Sequence, residues 1–506
     1  MNSRYILTLD IGSSCCKACC FDRNGKLIHR ERVYYSPERT ADGGAEINPA
    51  VWWQAVKQSI HALLSKTAIS GDAICALSPI GHISTLVFLD NNCNPIRPAL
   101  LYSDLRAWAE ADEIYTRFSP EELDRAYGFH LPISPSWPLP RLLWVQRHEP
   151  ETLERIKIIL QPKDYIVYLL TGELITDPDS IRGILNYSTG KPDDAIFSQL
   201  SLPQNCFPDV HKPGEIVGTL SSSIAADLGL PKDLPVLTGW NDFTASVYGC
   251  GLLDKGEGFD ITGTTEHIGC IVPHRQWTHL DSRLVHAPYR DNCTLLYGAT
   301  LNSGGSLSWF TREFSPFDKP GGEGSVPIDS YEPWIKHAET INAGAEGLLF
   351  LPYLDGERAP LWDAQARGAF IGLRSVHTWK TMVRAVLEGV AFNLNQIFKL
   401  TESAHPVQQL RISGGYANLK LWNRIKASCY DVPLAVLETD EVTSLGAAIL
   451  ASLSVGWYEN YNTAVSAMVR IREVVEPVKD WSDIYKERQE KFDKLYPALR
   501  SIFDNA

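Results

Sequence analysis

Gly12 and Gly263 are 251 residues apart, and the chain around them reads alike: "LDIGSSCCKACC" in the first half, "FDITGTTEHIGC" in the second. Each copy is an apolar, β-rich run that enters a glycine and two hydroxyl residues and leaves in a second β-like run. In a chain of 506 residues that is a repeat at half-length, and it predicts two related domains, each built around a strand, a turn and a strand. Turns of this make-up offer backbone N–H groups and hydroxyls to an anion. Two of them would grip one polyphosphate from both sides. Two ordinary hairpins with Gly-Ser and Gly-Thr turns would read the same way.

With 44% hydrophobic residues the chain can bury a sizeable core, and at roughly 100–200 residues per domain it should form two or more. The glycine-rich stretch Gly249–Gly256 places a boundary there, giving domains over 1–250 and 251–506. The net charge of −13 argues against a nucleic acid or an anionic membrane as partner. No apolar run approaches the ~20 residues that span a bilayer. Arg4 and "YILTL" open like a signal peptide, but Asp10 interrupts the run. A cytoplasmic protein with reduced thiols is expected.

Four of the eleven cysteines, Cys15, Cys16, Cys19 and Cys20, crowd the first repeat. The "RNGK" that follows reads as a tight turn, so the segment is predicted to be a three-strand meander. Residues three apart on a strand point to opposite faces, so Cys16 and Cys19 cannot converge on one metal. No histidine is near enough to complete a zinc set. The cysteines read as small buried apolar residues. A third glycine signal, "LRISGGYANLKLWNRIKASCYDVPLAV", predicts strand, helix and strand with Gly414 and Gly415 at the helix entrance. A glycine pair there lets a ring or phosphate approach the backbone, although the full dinucleotide fingerprint is absent. Ser444–Ser452 reads as a helix of small residues suited to close packing. Tyr485, Phe492, Leu495 and Leu499 recur at helical spacing and predict a C-terminal amphipathic helix lying on a domain surface.

These segments, with "RPALLYSDLRAWAEADEI", "PRLLWVQRHEPE", "ILQPKDYIVYLLTGELITD", "LTGWNDFTASVYGCG", "GATLNSGGSLSWF" and "LPYLDGERAPLWDAQARGAFIGL", resemble the FGGY family of carbohydrate kinases, in the actin-like ATPase superfamily, over nearly the whole chain. The resemblance implies an α/β fold of two actin-like (ribonuclease H-like) domains, each a mixed sheet flanked by helices, around a deep cleft. It also implies ATP-dependent phosphorylation of a sugar hydroxyl, with ATP and Mg2+. A hydroxyl is a poor nucleophile and needs a carboxylate base beside it. The family's base position falls on Asp242, which on local grounds alone reads as a turn aspartate. Asp10 matches the aspartate near magnesium. Gly12, Ser13, Ser14 and Lys17 match the first phosphate turn, and Gly263, Thr264 and Thr265 the second. Gly304 matches a glycine near the ATP tail, and Gly414, Gly415 and Asn418 the adenosine-binding segment. Gly356–Asp363, "GERAPLWD", is expected to shape the interdomain core rather than touch phosphate.

The acceptor side departs from the family pattern. Glycerol kinases carry Arg-Glu, and xylulokinases Met-His, where this chain has Ile83-Ser84 after His82. Phe243 follows the base in place of Gln or Asn, Trp240 replaces a smaller residue, and His267 stands where glycerol kinases have an aromatic. Trp240, Phe243, His82 and His267 could line a pocket against a sugar's C–H face, or the aromatics could be core. The departures speak against glycerol. The expected acceptor is a ketopentose such as D-xylulose, with gluconate, another ketose or a polyol as alternatives. An actin-like ATPase with a regulatory or chaperone role and no sugar kinase activity is the alternative from another class. Asp242 and "GERAPLWD" favour the kinase. Relatives implied by the resemblance are often dimers, so a homodimer is compatible with it.

Overall fold

The computed structural model describes residues 4–132, 134–273, 280–314 and 328–503. The chain forms two compact units. Residues 1–251 together with 442–469 make the first, and residues 252–441 together with 470–506 make the second.

In the first unit the strand Tyr5–Ile11 pairs antiparallel with Cys15–Phe21, which pairs antiparallel with Leu27–Tyr34. This is the meander that the turn signals predict. On its other side Tyr5–Ile11 runs parallel to Ile74–Gly81, and both Pro235–Leu237 and Trp240–Asn241 run parallel to that strand. The first strand is buried along nearly its whole length, as strands covered on both faces are. Leu7, Leu9 and Ile11 share a core with Trp52, Val56, Ile60 and Leu63 of the helix Pro49–Lys66, which repeat at helical spacing. The two-residue alternation puts Thr8 and Asp10 on the opposite face. Asn48 caps that helix by accepting from the Ala50 N–H at 3.0 Å. Cys16 and Cys20 lie in the same core, and Cys19 is buried on the other face. Burial raises the thiols of Cys16 and Cys20, the latter to about 12.

Residues 442–469 lie beyond a division of the chain at residue 250, and the reason they join the first unit is steric fit. The helix Val442–Ser454 crosses the helix Asp242–Gly249 backbone to backbone. A Cβ on Gly249 would lie 2.0 Å from the Val442 carbonyl oxygen, and one on Gly446 would lie 1.8 Å from that of Ala245. Ser246 and Thr443 hydroxyls bond at 2.6 Å beside this crossing.

The second unit repeats the plan. Glu257–Thr262 pairs antiparallel with the following strand, Glu266–Pro273, and parallel with Gln409–Gly414. Gln409–Gly414, helix Lys420–Tyr430 and strand Leu434–Leu437 form the strand–helix–strand unit read from the sequence, its two strands parallel. The 26-residue helix Trp379–Ala404 buries Val383, Val386, Val390, Leu394 and Ile397 in the core. The C-terminal segment is two helices, Lys479–Phe492 and Leu495–Phe503. Tyr485 and Phe492 enter the core, and Leu495 and Leu499 pack against its rim. Among the described residues no helix is long and apolar enough to cross a membrane.

The Gly249–Gly446 crossing gives a direct expectation. Gly446→Ala places a methyl group against a main-chain carbonyl that cannot rotate away, and overpacking of this kind costs about 1–3 kcal/mol or more. Denaturant unfolding should show at least that loss; an unchanged midpoint would mean that the two helices separate freely.

Candidate active site

Three strand ends build the candidate site of the first unit. Asp10 is level with Ile80, Ile11 with Gly81, Trp240 with Ile80, and Asn241 with Gly81. These parallel registers bring Asp10, the turn after Gly81 and the entrance of the Asp242 helix to one carboxyl edge of the sheet, where open α/β sheets bind ligands. Lys17, opposite Asp10 on the neighbouring strand, places Nζ 2.7 Å from Asp10 Oδ2. The turn between them is held by its carbonyls: Gly12 O accepts from Tyr35 Oη at 2.6 Å and Ser14 O from the Tyr35 N–H at 2.9 Å. A Cβ on Gly12 would sit 3.0 Å from the Cys15 oxygen. Gly12, Ser13 and Ser14 all keep surface exposure.

Asp242 opens its helix behind the cap Asn241, whose Oδ1 accepts from the Thr244 N–H at 2.8 Å. Asp242 Oδ1 accepts from the Phe243 N–H at 2.7 Å. Burial of the carboxyl raises its pKa from 3.8 to about 7, and the negative charge of Asp10 adds to the shift. The Phe243 N–H and Lys17 oppose it.

The turn after Gly81 carries the other candidate residues of this unit. His82 Nδ1 lies 2.9 Å from the Ile11 carbonyl, so Nδ1 holds the proton and Nε2 is an acceptor. The ring meets Trp52 and Tyr102 edge-on, and burial lowers its pKa to about 4, so it is neutral. Ser84 is buried with φ 63°, in the left-handed region, and Ile83 between them is half-buried. His82 Nε2 and Ser84 Oγ are both buried without a partner among the described residues. A buried polar group left so costs about 1–3 kcal/mol, and unpaired groups of this kind call for an explanation.

Trp240 and Phe243 are both packed away. Trp240 Nε1 donates to Asp179 Oδ2 at 2.7 Å and its ring meets Tyr248. Asp179 pairs with Arg182 at 2.5 Å, and Arg182 donates to Thr244 Oγ1 at 3.1 Å. The sequence reading misses Asp179 and Arg182. Their signal, an acid and a base three residues apart in "DPDSIRG", gives no hint of a tryptophan 61 residues later.

In the second unit the Gly263–Thr265 turn docks on the entrance of the helix Gly304–Glu313. The N–H groups of Ser303 and Gly305 donate to Thr264 O at 2.9 and 3.1 Å, and that of Gly304 donates to Gly263 O at 3.1 Å. A Cβ on Gly304 would lie 2.2 Å from the Tyr416 ring and 2.6 Å from Gly263 O, so glycine is demanded by packing. Gly414, at φ 102°, would bring a Cβ within 2.1 Å of Thr262 O, whereas Gly415 faces open space. Asn418 donates to Gly415 O at 3.3 Å and accepts from Arg472 at 2.8 Å. A cavity of about 440 Å³ draws Thr264, Gly305, Trp309, Arg312, Tyr331 and Tyr416 together. The second turn, the glycine helix entrance and the Gly-Gly segment therefore meet at one hollow.

Under this turn lies a charged cluster that sequence reasoning also misses. Lys426 Nζ is 3.2 Å from Asp260 Oδ2 and bonds Glu266, which in turn bonds Ser303 Oγ. Burial and the charge of Glu266 raise Asp260 well above its ordinary value. Burial opposes ionisation of Glu266 too, but Lys426 outweighs it and holds that carboxyl low. Both units thus hold an aspartate and a lysine near the turn, but Asp260 lies three residues before Gly263 where Asp10 lies two before Gly12, and Lys426 comes from the helix Lys420–Tyr430. Of "GERAPLWD", Glu357 is buried and accepts from the N–H groups of Leu301 and Arg358, both at 2.7 Å, and from Asn393 at 2.6 Å. Burial raises Glu357 to about 7. Asp355, just before it, lines the cavity and accepts from Asn302 at 3.0 Å. His267 lies on the strand Glu266–Pro273 of this unit, its pKa lowered to about 4 by burial and by Arg358.

The first unit presents a carboxyl poised near neutrality at a sheet edge, and the second a hollow formed by a hydroxyl turn and glycines; each is chemistry suited to phosphoryl transfer. Residues 5–249 match the N-terminal domain, and residues 261–455 the C-terminal domain, of the FGGY family of carbohydrate kinases, and the chain belongs to that family. It is 31% identical over 513 aligned residues to a xylulose kinase of Staphylococcus epidermidis, covering 99% of this chain and 98% of that one. It is 29% identical to a gluconokinase of Bacillus subtilis, with 99% and 97% covered. The solved structure of a ligand-bound xylulose kinase from Lactobacillus acidophilus superposes with a TM-score of 0.89 at 25% identity, 99% of each chain being covered. The protein is a carbohydrate kinase of two α/β domains with mixed sheets flanked by helices.

The raised pKa of Asp242 makes a prediction about stability. Folding takes up a proton here, so the group's favourable contribution is complete below about pH 3.8 and is lost as pH rises through about 7. Asp242→Asn cannot ionise. It should stabilise the fold relative to the parent more at pH 8 than at pH 5, read by thermal unfolding at the two pH values. An equal effect at both would show that the carboxyl is not raised.

Proposed function

We propose that this kinase transfers the γ-phosphoryl group of ATP to a hydroxyl of a neutral ketopentose, D-xylulose, with Asp242 as general base. The observation that carries the reading is the Asp242 carboxyl, raised to about 7 at the strand edge it shares with Asp10. A base is most effective when its pKa lies near the working pH. The sugar oxygen attacks the γ-phosphorus, the bond from phosphorus to the leaving ADP oxygen breaks, and the hydroxyl proton passes to Asp242. Ser13 and Ser14 with Lys17, and Thr264 with Thr265, are assigned to phosphate oxygens. The cavity beside Gly304, with the open backbone of Gly415 and the Asn418 side chain, is assigned to the adenosine.

Magnesium fits the residues present. Asp10 offers a hard oxygen donor beside Asp242, and Mg2+ is usually held by one or two carboxylates and the substrate's phosphates. When bound it neutralises charge on those phosphates. Lys17 already pairs with Asp10, so it is placed to hold that carboxylate ready and to meet a phosphate when the ion takes its place.

The acceptor is assigned from the His82–Ser84 turn. Its two unpartnered buried atoms suit the neutral hydroxyls of a ketose. Among the described residues the buried cations of this unit are already engaged: Arg182 faces Asp179, Lys163 faces Asp164 and Asp177, and Arg141 bonds backbone carbonyls. That leaves less provision for the carboxylate of gluconate. Cytoplasmic ATP and reduced thiols are the setting this reading expects.

ADP release measured over a panel of sugars and polyols should give D-xylulose the highest kcat/KM; a preference for gluconate would overturn the acceptor assignment. With the preferred sugar, Asp242→Asn should lower turnover about 10²–10⁴-fold while nucleotide affinity shifts by less than about threefold. Turnover near the parent's would place the base elsewhere. Gly304→Ala should do the opposite, weakening ATP binding about tenfold or more by displacing Tyr416 or the second turn, with the sugar's KM largely unmoved. Equal ATP affinity in that variant would remove the cavity from the nucleotide site.

A further inference from the structure

Arg141 is wholly buried in the first unit, and among the described residues it is ion-paired with no carboxylate. Burial lowers its hold on the proton, to about 9, with only the more distant charge of Asp104 opposing. Buried guanidinium groups normally face an acid, because removing the charge from water is costly. This one bonds main-chain oxygens alone. Nη1 donates to Leu100 O at 3.1 Å and Leu101 O at 2.6 Å. Nη2 donates to Ser136 O at 2.7 Å and to Ser84 O. Nε reaches Trp137 O at 3.4 Å. Three separate segments are gathered on one rigid fork, a geometry that lysine cannot reproduce.

One of those segments carries a left-handed residue where it meets the guanidinium. Ser84 holds a left-handed φ of 63°, which a non-glycine residue adopts only where its surroundings impose it. Its carbonyl is held by Arg141 and its hydroxyl has no partner among the described residues, as is also true of His82 Nε2 two residues earlier. Left to local preference, Ser84 would relax into an extended or helical conformation and its Oγ would turn elsewhere. A clamp used only for packing would need neither the strained residue nor the unpaired atoms.

We infer that Arg141 is a positioning residue for the acceptor sugar: by holding the Ser84 carbonyl it fixes the His82–Ser84 turn so that Ser84 Oγ and His82 Nε2 meet the sugar's hydroxyls. The inference rests on the reading that this turn contacts the acceptor. It adds a residue 57 positions away in the chain, on the helix Pro138–His148, to the determinants of sugar affinity.

The test is steady-state kinetics of the full chain with MgATP and D-xylulose, or whichever acceptor the panel selects, for Arg141→Lys, Ser84→Ala and the double variant. Arg141→Gln replaces the lysine variant if that does not fold. The expected result for each single variant is a sugar KM raised about tenfold or more, an ATP KM within about twofold and kcat within about threefold. The double variant should be no worse than the poorer single one, because both remove the same contact. Thermal shifts give a second readout: the sugar should stabilise the Arg141 variant less than the parent, and an ATP analogue should stabilise both equally. If Ser84→Ala leaves the sugar KM unchanged, the turn does not meet the sugar and the inference falls with that reading. If Ser84→Ala raises it and the Arg141 variant does not, the reading stands and the role given to Arg141 is wrong. If the Arg141 variant moves both KM values together, or lowers stability with both unmoved, the clamp is structural only and the inference is overturned.

Discussion

The candidate site of the first unit depends on one constraint, the in-register parallel pairing of three strands. Because Asp10 lies level with Ile80, and Ile80 with Trp240, the chain leaves the sheet at the same height three times. The strand aspartate, the His82–Ser84 turn and the Asp242 helix are therefore neighbours without any long loop to carry them there. Side-chain alternation then decides what each strand end presents. A slip of one residue by the strand Tyr5–Ile11 would turn Asp10 into the Pro49–Lys66 core and Leu9 or Ile11 out of it.

The two units use one strand–turn–strand plan under opposite electrostatic conditions. In the first, Asp10 and Lys17 pair directly across adjacent strands, beside a turn that reaches solvent. In the second, Asp260 and Glu266 flank the turn, and both are sealed under it with Lys426. Two acids facing one lysine leave a shared proton, which is why Asp260 is driven up as Glu266 is held down. The Ser303 bond to Glu266 ties that cluster to the residue before Gly304. The second turn is thus fixed from below by charge and from the side by helix N–H groups, whereas the first is fixed chiefly by Tyr35.

Much of this was legible in the sequence where a residue type is demanded by the backbone. Gly304 and Gly414 stand where a Cβ would strike a ring or main chain, Gly12 where it would crowd the Cys15 oxygen, and Asn24-Gly25 turns the meander. The alternation of the cysteine strand and the strand–helix–strand around Gly414 were legible for the same reason, since periodicity records which face is covered. Side-chain partnerships were not. Nothing local to Trp240 announces that its N–H is committed to Asp179, and nothing in "PRLLWVQRH" distinguishes Arg141 from a surface arginine. The C-terminal periodicity suggested one helix, yet the chain breaks after Phe492 and starts a second helix at Leu495. Spacing of apolar residues does not report a bend that keeps both halves against the core.

The crossing of the Asp242 and Val442 helices has a consequence for how the chain is made. The helix that carries Asp242 rests on a segment translated some two hundred residues later, after nearly all of the second sheet. During synthesis at about 5–20 residues per second, the earlier sheet waits for that cover on the order of ten seconds or more. In the interval the sheet face and the Asp242 helix that the late segment will cover stay open, so the first unit completes its core only after most of the second sheet has been made. Glycine at Gly249 and Gly446 is what then lets the late segment settle close.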